Sequence, residues 1–424
     1  MSEQASNRFH QDGPPIRILS LDGGGPFGLI TARLLQRLYC KREDYLDHVD
    51  FLTGTSSGAV IAAILNTIKD RKIALQFAVD TMKKLGEFYI SGVSTPSTVG
   101  AAMGQNSFTD YENFSRHIHD ILHEVTLEGV HELDVGIEHI IIPTFSLNHP
   151  YPNTEVPLNA VGFPFLPPVF DHVTIQVPPP IRRRWTPILY HNIPPTAPDG
   201  AVNWLERPPK EAYYPDLLRD GYEPTLSLSD AVLRACATPV FSPVYEDHID
   251  GGAFAGNPGP AALSLVMHLN RNRCYHRLLQ TDIHSFILPN QESGSLSLTD
   301  THDEAEHILH QMWTRLRVLS VGSGIKNYYM PSSYKRQPWG YQKWLFDQQL
   351  PFALIFCMID GSQEFQHLQL QGIMPPHQYN RLNAVALLNQ EVTFSLQPKT
   401  YPDFLKMADE APLDRTINWL ENQW

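Results

Sequence analysis

The sequence predicts an α/β fold with a largely parallel central sheet. Two strand–turn–helix units occupy the first 70 residues, at Ile16–Leu38 and Phe51–Ile68. In each unit an apolar run ends in small residues and is followed by apolar residues at helical spacing. Consecutive units of this kind place their strands side by side and parallel, with the helices on the faces of the sheet.

The strand, turn and helix of each unit have residue types that favour these structures. Ile16–Leu21 is apolar and β-branched, which is typical of a buried strand. The Asp22 turn with its three glycines follows, and Pro26 then stands where a first helical residue is favoured. In the second unit Phe51–Thr53 is the predicted strand and Ser57–Ile68 the predicted helix.

Further elements follow at wider spacing. Strands are predicted at Ile137–Leu147, Val244–Asp250, Leu316–Val321 and Glu364–Leu370, and helices at Leu228–Ala237, Pro260–Leu269 and over most of the last hundred residues. The polar lead-in, residues 1–15, is predicted to be disordered, and residues 16–424 are predicted to form a single domain.

A proline-rich segment interrupts this pattern. Residues 143–215 contain 17 of the chain's 35 prolines, a density that disfavours long helices and central strands. We therefore expect an irregular insertion over residues 143–225, of the kind that forms lids and binding loops. An interdomain linker is the alternative, against which the frequent aromatic and apolar residues argue.

Composition excludes several classes of protein. The chain has 32 basic and 45 acidic residues, a net charge of −13, which argues against nucleic acid as a partner and against electrostatic docking on anionic membranes. No apolar stretch reaches 18 residues, and the N-terminus lacks an apolar signal core. Four scattered cysteines without a CxxC pair predict reduced thiols. We therefore expect a cytoplasmic protein.

The glycine-rich turn at residues 22–28, DGGGPFG, predicts an anion site between a strand and a helix N-terminus. The anion could be a phosphate or a developing oxyanion. Gly23, Gly25 and Gly28 satisfy GxGxxG, but a dinucleotide fold also needs an acidic residue at the end of the second strand. A serine turn stands there instead, so nucleotide binding is kept only as an alternative.

That serine turn, Gly54-Thr55-Ser56-Ser57-Gly58, is a GxSxG motif. A nucleophile elbow needs small residues two places on either side of the serine, because strand and helix otherwise clash. The position of the serine between the two glycines selects Ser56 as the candidate nucleophile, with Ser57 as the alternative. The carboxyl ends of parallel neighbouring strands meet at one edge, so the glycine turn could supply N–H donors to an oxyanion formed at Ser56.

A serine nucleophile needs a base. The histidines that follow in the chain, such as His367 and His377, stand on no obvious strand end. Asp250, at a predicted strand end before Gly251 and Gly252, suits direct acceptance of the serine proton better than a surface carboxylate would. His248 lies on the same strand face and is expected to be an ordinary packed histidine rather than a helper.

These motifs, in this order, resemble the patatin-like phospholipases. Supporting segments occur over residues 16–390: Ile142–Phe145 and Leu233–Phe241 are similar to a family strand and helix, Leu319–Gly324 to a family strand end, and Trp339–Leu345 and Tyr379–Leu382 to its C-terminal helices. The resemblance implies a three-layer α/β/α sandwich. It also implies a hydrolase of phospholipids or other acyl-ester lipids that needs no metal ion, and we expect no cofactor. Transient contact with a membrane surface is expected as well, and the net charge indicates apolar or partner-mediated rather than electrostatic contact.

The resemblance further implies site residues and roles. Ser56 is the expected nucleophile, Asp250 the expected general base of a Ser–Asp dyad, and Gly23, Gly24 and Gly25 the expected oxyanion loop. Motif residues that support them are Asp22, Gly28, Gly54, Gly58, Gly251 and Gly252. An acyltransferase with the same dyad and a non-catalytic lipid-binding relative are the alternatives.

One residue departs from the family pattern. The family carries Arg or Lys just before the last glycine of the oxyanion loop, where this chain has Phe27 after Pro26. Because oxyanion donors are backbone N–H groups, this change need not abolish catalysis. It removes a positive charge close to the expected site.

Overall fold

The structure is a computed structural model, and it describes residues 14–91, 107–151, 182–193, 221–268, 309–326, 338–347, 352–386 and 398–424. The predicted disordered lead-in and most of the predicted proline-rich lid therefore lie outside the described residues. Within them, one mixed seven-stranded sheet carries helices on both faces.

The elements follow one another in chain order. The strands are β1 (Ile16–Leu21), β2 (Phe51–Gly54), β3 (His139–Tyr151), β4 (Arg182–His191), β5 (His248–Asp250), β6 (Leu316–Val321) and β7 (Tyr379–Leu382). The helices are α1 (Gly28–Tyr39), α2 (Ser57–Thr67), α3 (Arg71–Ser91), α4 (Tyr111–Leu122), α5 (Leu228–Ala235), α6 (Tyr341–Phe346), α7 (Ala353–Ile373), α8 (Tyr401–Glu410) and α9 (Asp414–Gln423). Residues 259–268 and 309–315 are also helical.

The sheet order is β4-β3-β2-β1-β6-β7, and β5 pairs with β3 beside β2. The pairs β1–β2, β2–β3, β1–β6 and β6–β7 are parallel, whereas β4 and β5 run antiparallel to β3. Side chains of β1 alternate between two hydrophobic cores, with Leu19 and Leu21 in one and Ile16 and Ile18 in the other. Cores on both faces confirm the predicted three-layer α/β/α arrangement.

The strand β3 changes partner along its length, and this positions the site. Its residues 139–141 pair with β2, and its residues 144–146 pair with β5. Because β2 ends at Gly54, β5 occupies the continuation of the same edge and runs toward it. Pro143 lies at the change of partner, which accounts for a proline in a strand that is paired on both edges.

Several sequence predictions differ from the structure. The predicted strand at Glu364–Leu370 is wrong, because these residues lie within helix α7. Residues Tyr379–Leu382, expected in a helix, form β7 at the edge of the sheet. The strand predicted at Val244–Asp250 is reduced to β5, because Glu246 and Asp247 have positive φ angles of 47° and 59° and turn the chain.

The sheet also extends into the proline-rich segment. Strand β3 continues to Tyr151, and β4 returns along it as an edge strand that contains Pro187. An edge strand tolerates proline because one side needs no ladder hydrogen bonds. Among the described residues, no helix combines the length and apolar character that a membrane crossing requires.

Candidate active site

The turn between β2 and α2 has the geometry of a nucleophile elbow. Ser56 lies just before α2 with φ 53° and ψ −122°, a conformation that non-glycine residues rarely adopt. A Cβ on Gly54 would lie 2.1 Å from the Gly58 carbonyl oxygen, and one on Gly58 would lie 2.4 Å from the Leu21 carbonyl oxygen. Both glycines are therefore needed for strand and helix to approach closely enough.

Asp250, the last residue of β5, lies beside this turn. Its carboxylate accepts hydrogen bonds from Thr238 Oγ1 at 2.6 Å and from the Gly252 N–H at 2.7 Å. Ser56 lines the same pocket as Asp250, and its side chain lowers the pKa of this carboxyl group. The structure thus brings Ser56 and Asp250 together from positions 194 residues apart in the printed sequence.

Burial changes the acidity of this carboxyl group. Only 4% of Asp250 is exposed, and desolvation raises its pKa above the ordinary value of 3.8, although hydrogen bonds from Thr238, Gly252 and Ser56 oppose the rise. A carboxylate with a raised pKa is a stronger base than a surface aspartate. The neighbouring thiol of Cys236 is unsuited to act as a nucleophile, because burial and the Asp250 charge raise its pKa.

The loop after β1 lies on the other side of Ser56. Gly24 and Gly25 have φ angles of 155° and 56°, which explains why glycine is required at both positions. The Gly23 N–H donates to the Gly256 carbonyl at 3.0 Å. Within the described residues, the N–H groups of Gly24 and Gly25 donate to no protein acceptor. Of the three predicted oxyanion donors, these two are the ones available to a ligand.

Buried polar contacts hold this loop in place. The Gly23 carbonyl accepts hydrogen bonds from Ser323 Oγ at 2.7 Å and from Gln363 Nε2 at 2.6 Å. The Asp22 carboxylate is fully buried and forms a bidentate pair with Arg381, at 2.7 and 2.5 Å. Strands β6 and β7 and helix α7 thereby fix a loop that belongs to β1.

The remaining motif glycines contribute close packing. A Cβ on Gly28 would lie 2.7 Å from the Ser57 Cβ, which brings α1 against the serine turn. A Cβ on Gly251 would lie 2.2 Å from the Pro143 carbonyl oxygen, so the chain after Asp250 runs against β3 without room for a side chain. Each predicted support residue thus has a contact that accounts for it.

Phe27, the departure from the family pattern, is fully buried. Its ring packs on Phe404 with 4.9 Å between ring centroids. Lys326 Nζ lies 4.3 Å from the Phe27 ring centroid and forms a 2.8 Å ion pair with Asp360 of α7. A cation is therefore still present beside the loop, although a different segment of the chain supplies it.

A pocket opens onto these groups. The residues that line it come from the glycine loop, the serine turn, the segment around Asp250, and α7: Gly23, Gly24, Gly25, Pro26, Ser56, Thr238, Phe241, Asp250, Gly252, Gly256, Phe356 and Ile359. Backbone donors, a hydroxyl and a carboxylate thus converge in a pocket whose walls are partly aromatic and aliphatic.

His248 lies apart from this group. Its Nε2 is 2.9 Å from the Tyr190 hydroxyl, and its Nδ1 contacts the Glu246 carbonyl. Arg234 donates to the same tyrosine at 2.5 Å. His248 is therefore a packed histidine, as expected. For the nucleotide alternative, the acidic residue nearest the required spacing after the glycine turn is Asp44, and it lies on a 3₁₀ turn rather than at the end of β2.

Sequence reasoning missed four contributors: Thr238, Ser323, Lys326 and Gln363. Thr238 and Ser323 lie in segments that already resembled the family, but their side-chain partners are distant in sequence. Gln363 gave no signal, because it directly precedes the stretch Glu364–Leu370, which was predicted to be a strand. Only the packing of α7 against the glycine loop reveals its role.

A parallel sheet with a strained serine turn, a glycine loop and a buried carboxylate at one edge defines a class of α/β proteins built around a nucleophile elbow. The patatin-like phospholipase family model matches residues 19–263, more than half of the chain, and the chain belongs to this family. The matched range contains Ser56, Asp250 and the glycine loop, and it ends short of the expected limit at residue 390.

Individual relatives are distant. CotR of Bacillus subtilis, named as a sporulation hydrolase, is 22% identical over 251 residues, which cover 59% of this chain and 57% of CotR. Patatin-like protein 2 of Oryza sativa subsp. indica is 28% identical over 160 residues, 34% of this chain and 38% of the rice protein. Patatin-like protein 2 of Arabidopsis thaliana is 27% identical over 151 residues, which cover 32% of this chain and 35% of the Arabidopsis protein.

The chain thus matches little more than half of CotR and about a third of the plant relatives. Among solved structures, VipD from Legionella pneumophila matches with a TM-score of 0.34 and 10% identity, covering 96% of this chain and 67% of VipD. A score this low adds nothing to the family assignment.

Proposed function

We propose that this protein is a metal-independent lipid acyl hydrolase of phospholipase A or lysophospholipase type. The observation that carries the proposal is that the strained Ser56 and the buried Asp250 line one pocket, beside the two N–H groups that have no acceptor among the described residues. The family assignment supports lipid esters as the substrate class.

The chemistry follows from these contacts. Asp250 accepts the Ser56 proton as Oγ attacks the ester carbonyl carbon, and the carbonyl oxygen becomes an oxyanion held by the N–H groups of Gly24 and Gly25. Collapse expels the alcohol, which takes the proton from Asp250, and leaves an acyl-enzyme on Ser56. Asp250 then takes a proton from water, whose attack releases the fatty acid and restores Ser56.

Two features of the surroundings assist these steps. The N-terminus of α2 begins directly after Ser56, and its partial positive charge stabilises negative charge that develops at the serine. The hydrogen bonds from Thr238 and Gly252 hold the Asp250 carboxylate in one orientation. An acyltransferase would follow the same steps with an alcohol in place of water, and product analysis separates the two.

The test compares Ser56→Ala with Ser57→Ala on a fluorogenic phospholipid and on a short acyl ester, with a chelator present. Ser57 is the matched control, since its hydroxyl is buried in the same turn and has no hydrogen-bond partner within the described residues. We expect Ser56→Ala to lose about 10³-fold or more of the turnover, and Ser57→Ala to retain most of it. Equal turnover by wild type and Ser56→Ala would refute the mechanism, and loss on chelation would refute its independence from metal.

A further inference from the structure

Helix α7 presents an apolar face to solvent. Leu354, Met358, Phe365 and Leu368 are exposed by 39%, 51%, 62% and 59%. At 3.6 residues per turn their side chains fall within about 80° of the helix circumference. These four residues, called the apolar stripe below, therefore form one continuous line along the outer side of the helix.

The inner face of the same helix carries both apolar and polar side chains. Phe356 and Leu370 are buried in the hydrophobic cores, and the buried Gln363 and Gln366 bond the Gly23 carbonyl, the Phe254 carbonyl and the Asn257 N–H. A surface helix of a globular protein ordinarily keeps its large apolar residues on the inner side. Packing against the rest of the fold accounts for the inner residues, whereas the apolar stripe is a second apolar surface on the exposed side.

The exposed apolar residues are also concentrated in this region. The described residues contain twelve exposed large hydrophobic side chains, and seven of them lie between residues 341 and 373. Besides the stripe, these are Ile373, Tyr341 and Phe346, the last two on the short helix α6, which packs on α7. Scattered exposed hydrophobics need no explanation, whereas a cluster marks an interaction surface.

The location favours a lipid surface as the occupant. Phe356 and Ile359 of α7 line the pocket at Ser56, on the opposite side of the helix from the stripe. An α-helix with its side chains is about 10–12 Å across, so a bilayer at the stripe would lie about one helix diameter from the pocket. Tyr341 and Trp344 of α6, and Trp339, whose ring packs on Trp344, are residue types that concentrate at membrane interfaces.

The charged residues of the docking region indicate which kind of lipid surface it can bind. Helix α7 contains no lysine or arginine, and its acidic residues are Asp360 and Glu364. Anionic lipids attract basic segments, and nothing on this helix provides such attraction. The net charge of −13 also disfavours binding to anionic lipids. On α6 the basic residue Lys343 is offset by Glu364 of α7, and Asp360 is paired with Lys326. The two helices therefore carry no excess of positive charge, which matches a neutral or zwitterionic surface.

We propose that the apolar stripe and α6 dock the protein on a neutral lipid surface, so that ester lipids enter the pocket from the bilayer next to α7. This proposal rests on the proposed function for its choice of lipid as the partner. It deepens that function by naming the surface and the charge class of membrane that the enzyme uses.

The binding test uses the full chain with Ser56→Ala, which removes the proposed nucleophile, and vesicles of zwitterionic phosphatidylcholine. We expect Phe365→Ser/Leu368→Ser to lower the partition coefficient about tenfold or more, because both side chains lose apolar area that would be buried in the bilayer. Leu368→Ser alone is compared with Ile73→Ser. Ile73 is a helical aliphatic residue with the same 59% exposure on α3, so Ile73→Ser is expected to bind as the parent does.

An activity test uses the same substitutions with Ser56 intact. Turnover of dispersed phospholipid should fall in the double variant, whereas turnover of a monomeric short acyl ester should stay at the wild-type level. Unchanged unfolding midpoints show that the variants are folded. Vesicle binding by the Ser56→Ala protein does not depend on which residue is the nucleophile, so failure of the mechanism and failure of the docking proposal give different results.

Three results would overturn the docking proposal. The first is equal vesicle binding by the parent and the double variant, and the second is equal loss in Ile73→Ser. The third is a concentration-dependent dimer that the double variant abolishes while vesicles bind neither protein, because the stripe would then contact a second copy of the chain. A tenfold preference for anionic over zwitterionic vesicles would overturn the assignment to neutral lipid.

Discussion

Lys326 and Phe27 form a cation–π contact, with Nζ 4.3 Å from the ring centroid, beside the glycine loop of the candidate site. The family resemblance implied a cationic side chain at the position of Phe27. In this chain a cation comes from residue 326, after strand β6, and Asp360 of α7 pairs with it. A positive charge thus lies near the loop, although residue 27 does not carry it.

This arrangement predicts that restoring the family residue is harmful. Phe27→Arg would bury a second cation against Lys326, and we expect it to lower the free energy of unfolding by about 3 kcal/mol or more. Phe27→Arg/Lys326→Met should recover over half of that loss, since the like-charge contact is removed. Urea unfolding of the two single variants and the double variant measures this. Additive effects would show that repulsion between the two cations is not the cause.

The buried pair of Asp22 and Arg381 predicts a large cost for breaking it on one side. Asp22→Asn leaves the guanidinium of Arg381 buried with its partner charge gone, and we expect a loss of about 3–5 kcal/mol in the free energy of unfolding. Asp22→Asn/Arg381→Met should be more stable than Asp22→Asn alone. Lys69→Ala is the control, because its ion pair with Asp134 is exposed and its loss should leave the unfolding midpoint unchanged.

The raised pKa of Asp250 predicts opposite effects on activity and stability. Because burial raises the pKa in the folded state above the ordinary 3.8, the folded protein binds this proton more tightly than the unfolded chain. The stability contribution of this group is therefore full below pH 3.8 and declines as pH rises through the folded-state pKa. Activity needs the carboxylate, so it should fall as pH drops through the same pKa.

The variant Asp250→Asn tests both the expected loss of activity and the expected gain of stability. We expect activity to fall about 10²–10⁴-fold, the usual contribution of a general base, while the unfolding midpoint at pH 7 rises relative to wild type. That stability gain should shrink as pH falls through the folded-state pKa of Asp250, where the carboxylate takes up its proton. A gain that is independent of pH, or a loss of stability at pH 7, would mean that the buried charge carries no net cost.

Alanine substitution should affect stability in opposite directions at Gly54 in the serine turn and at Gly372 in helix α7. Gly54→Ala places a methyl group 2.1 Å from a backbone oxygen, so we expect about 3 kcal/mol or more of destabilisation. Gly372→Ala in helix α7 meets nothing within 4 Å and should stabilise by about 0.5–1 kcal/mol, since alanine is the better helix former. Thermal or urea unfolding measures both. Equal effects would show that the turn relaxes around the methyl group.

Local sequence patterns predicted correctly those elements whose conformation depends on residues close together in the chain. The strand Ile16–Leu21, the turn at Ser56 and the helix after it follow from apolar spacing and glycine placement, because turn sterics act between neighbours in the chain. Within helix α7 only the stretch Glu364–Leu370 was predicted wrongly, as a strand. Its apolar residues lie on both sides of the helix, with Phe365 and Leu368 exposed and Leu370 buried, so the hydrophobic pattern does not indicate which side is buried.

By itself, the sequence determined the α/β class, the glycine loop, the serine turn and the position of a carboxylate before a Gly-Gly pair. Only the tertiary structure decided which groups meet. Asp250 reaches Ser56 because β3 exchanges β2 for β5 along one edge. The Gly23 N–H is used internally while Gly24 and Gly25 keep theirs available, and Lys326 lies over Phe27. These contacts join residues hundreds of positions apart, and no local pattern encodes the packing that brings them together.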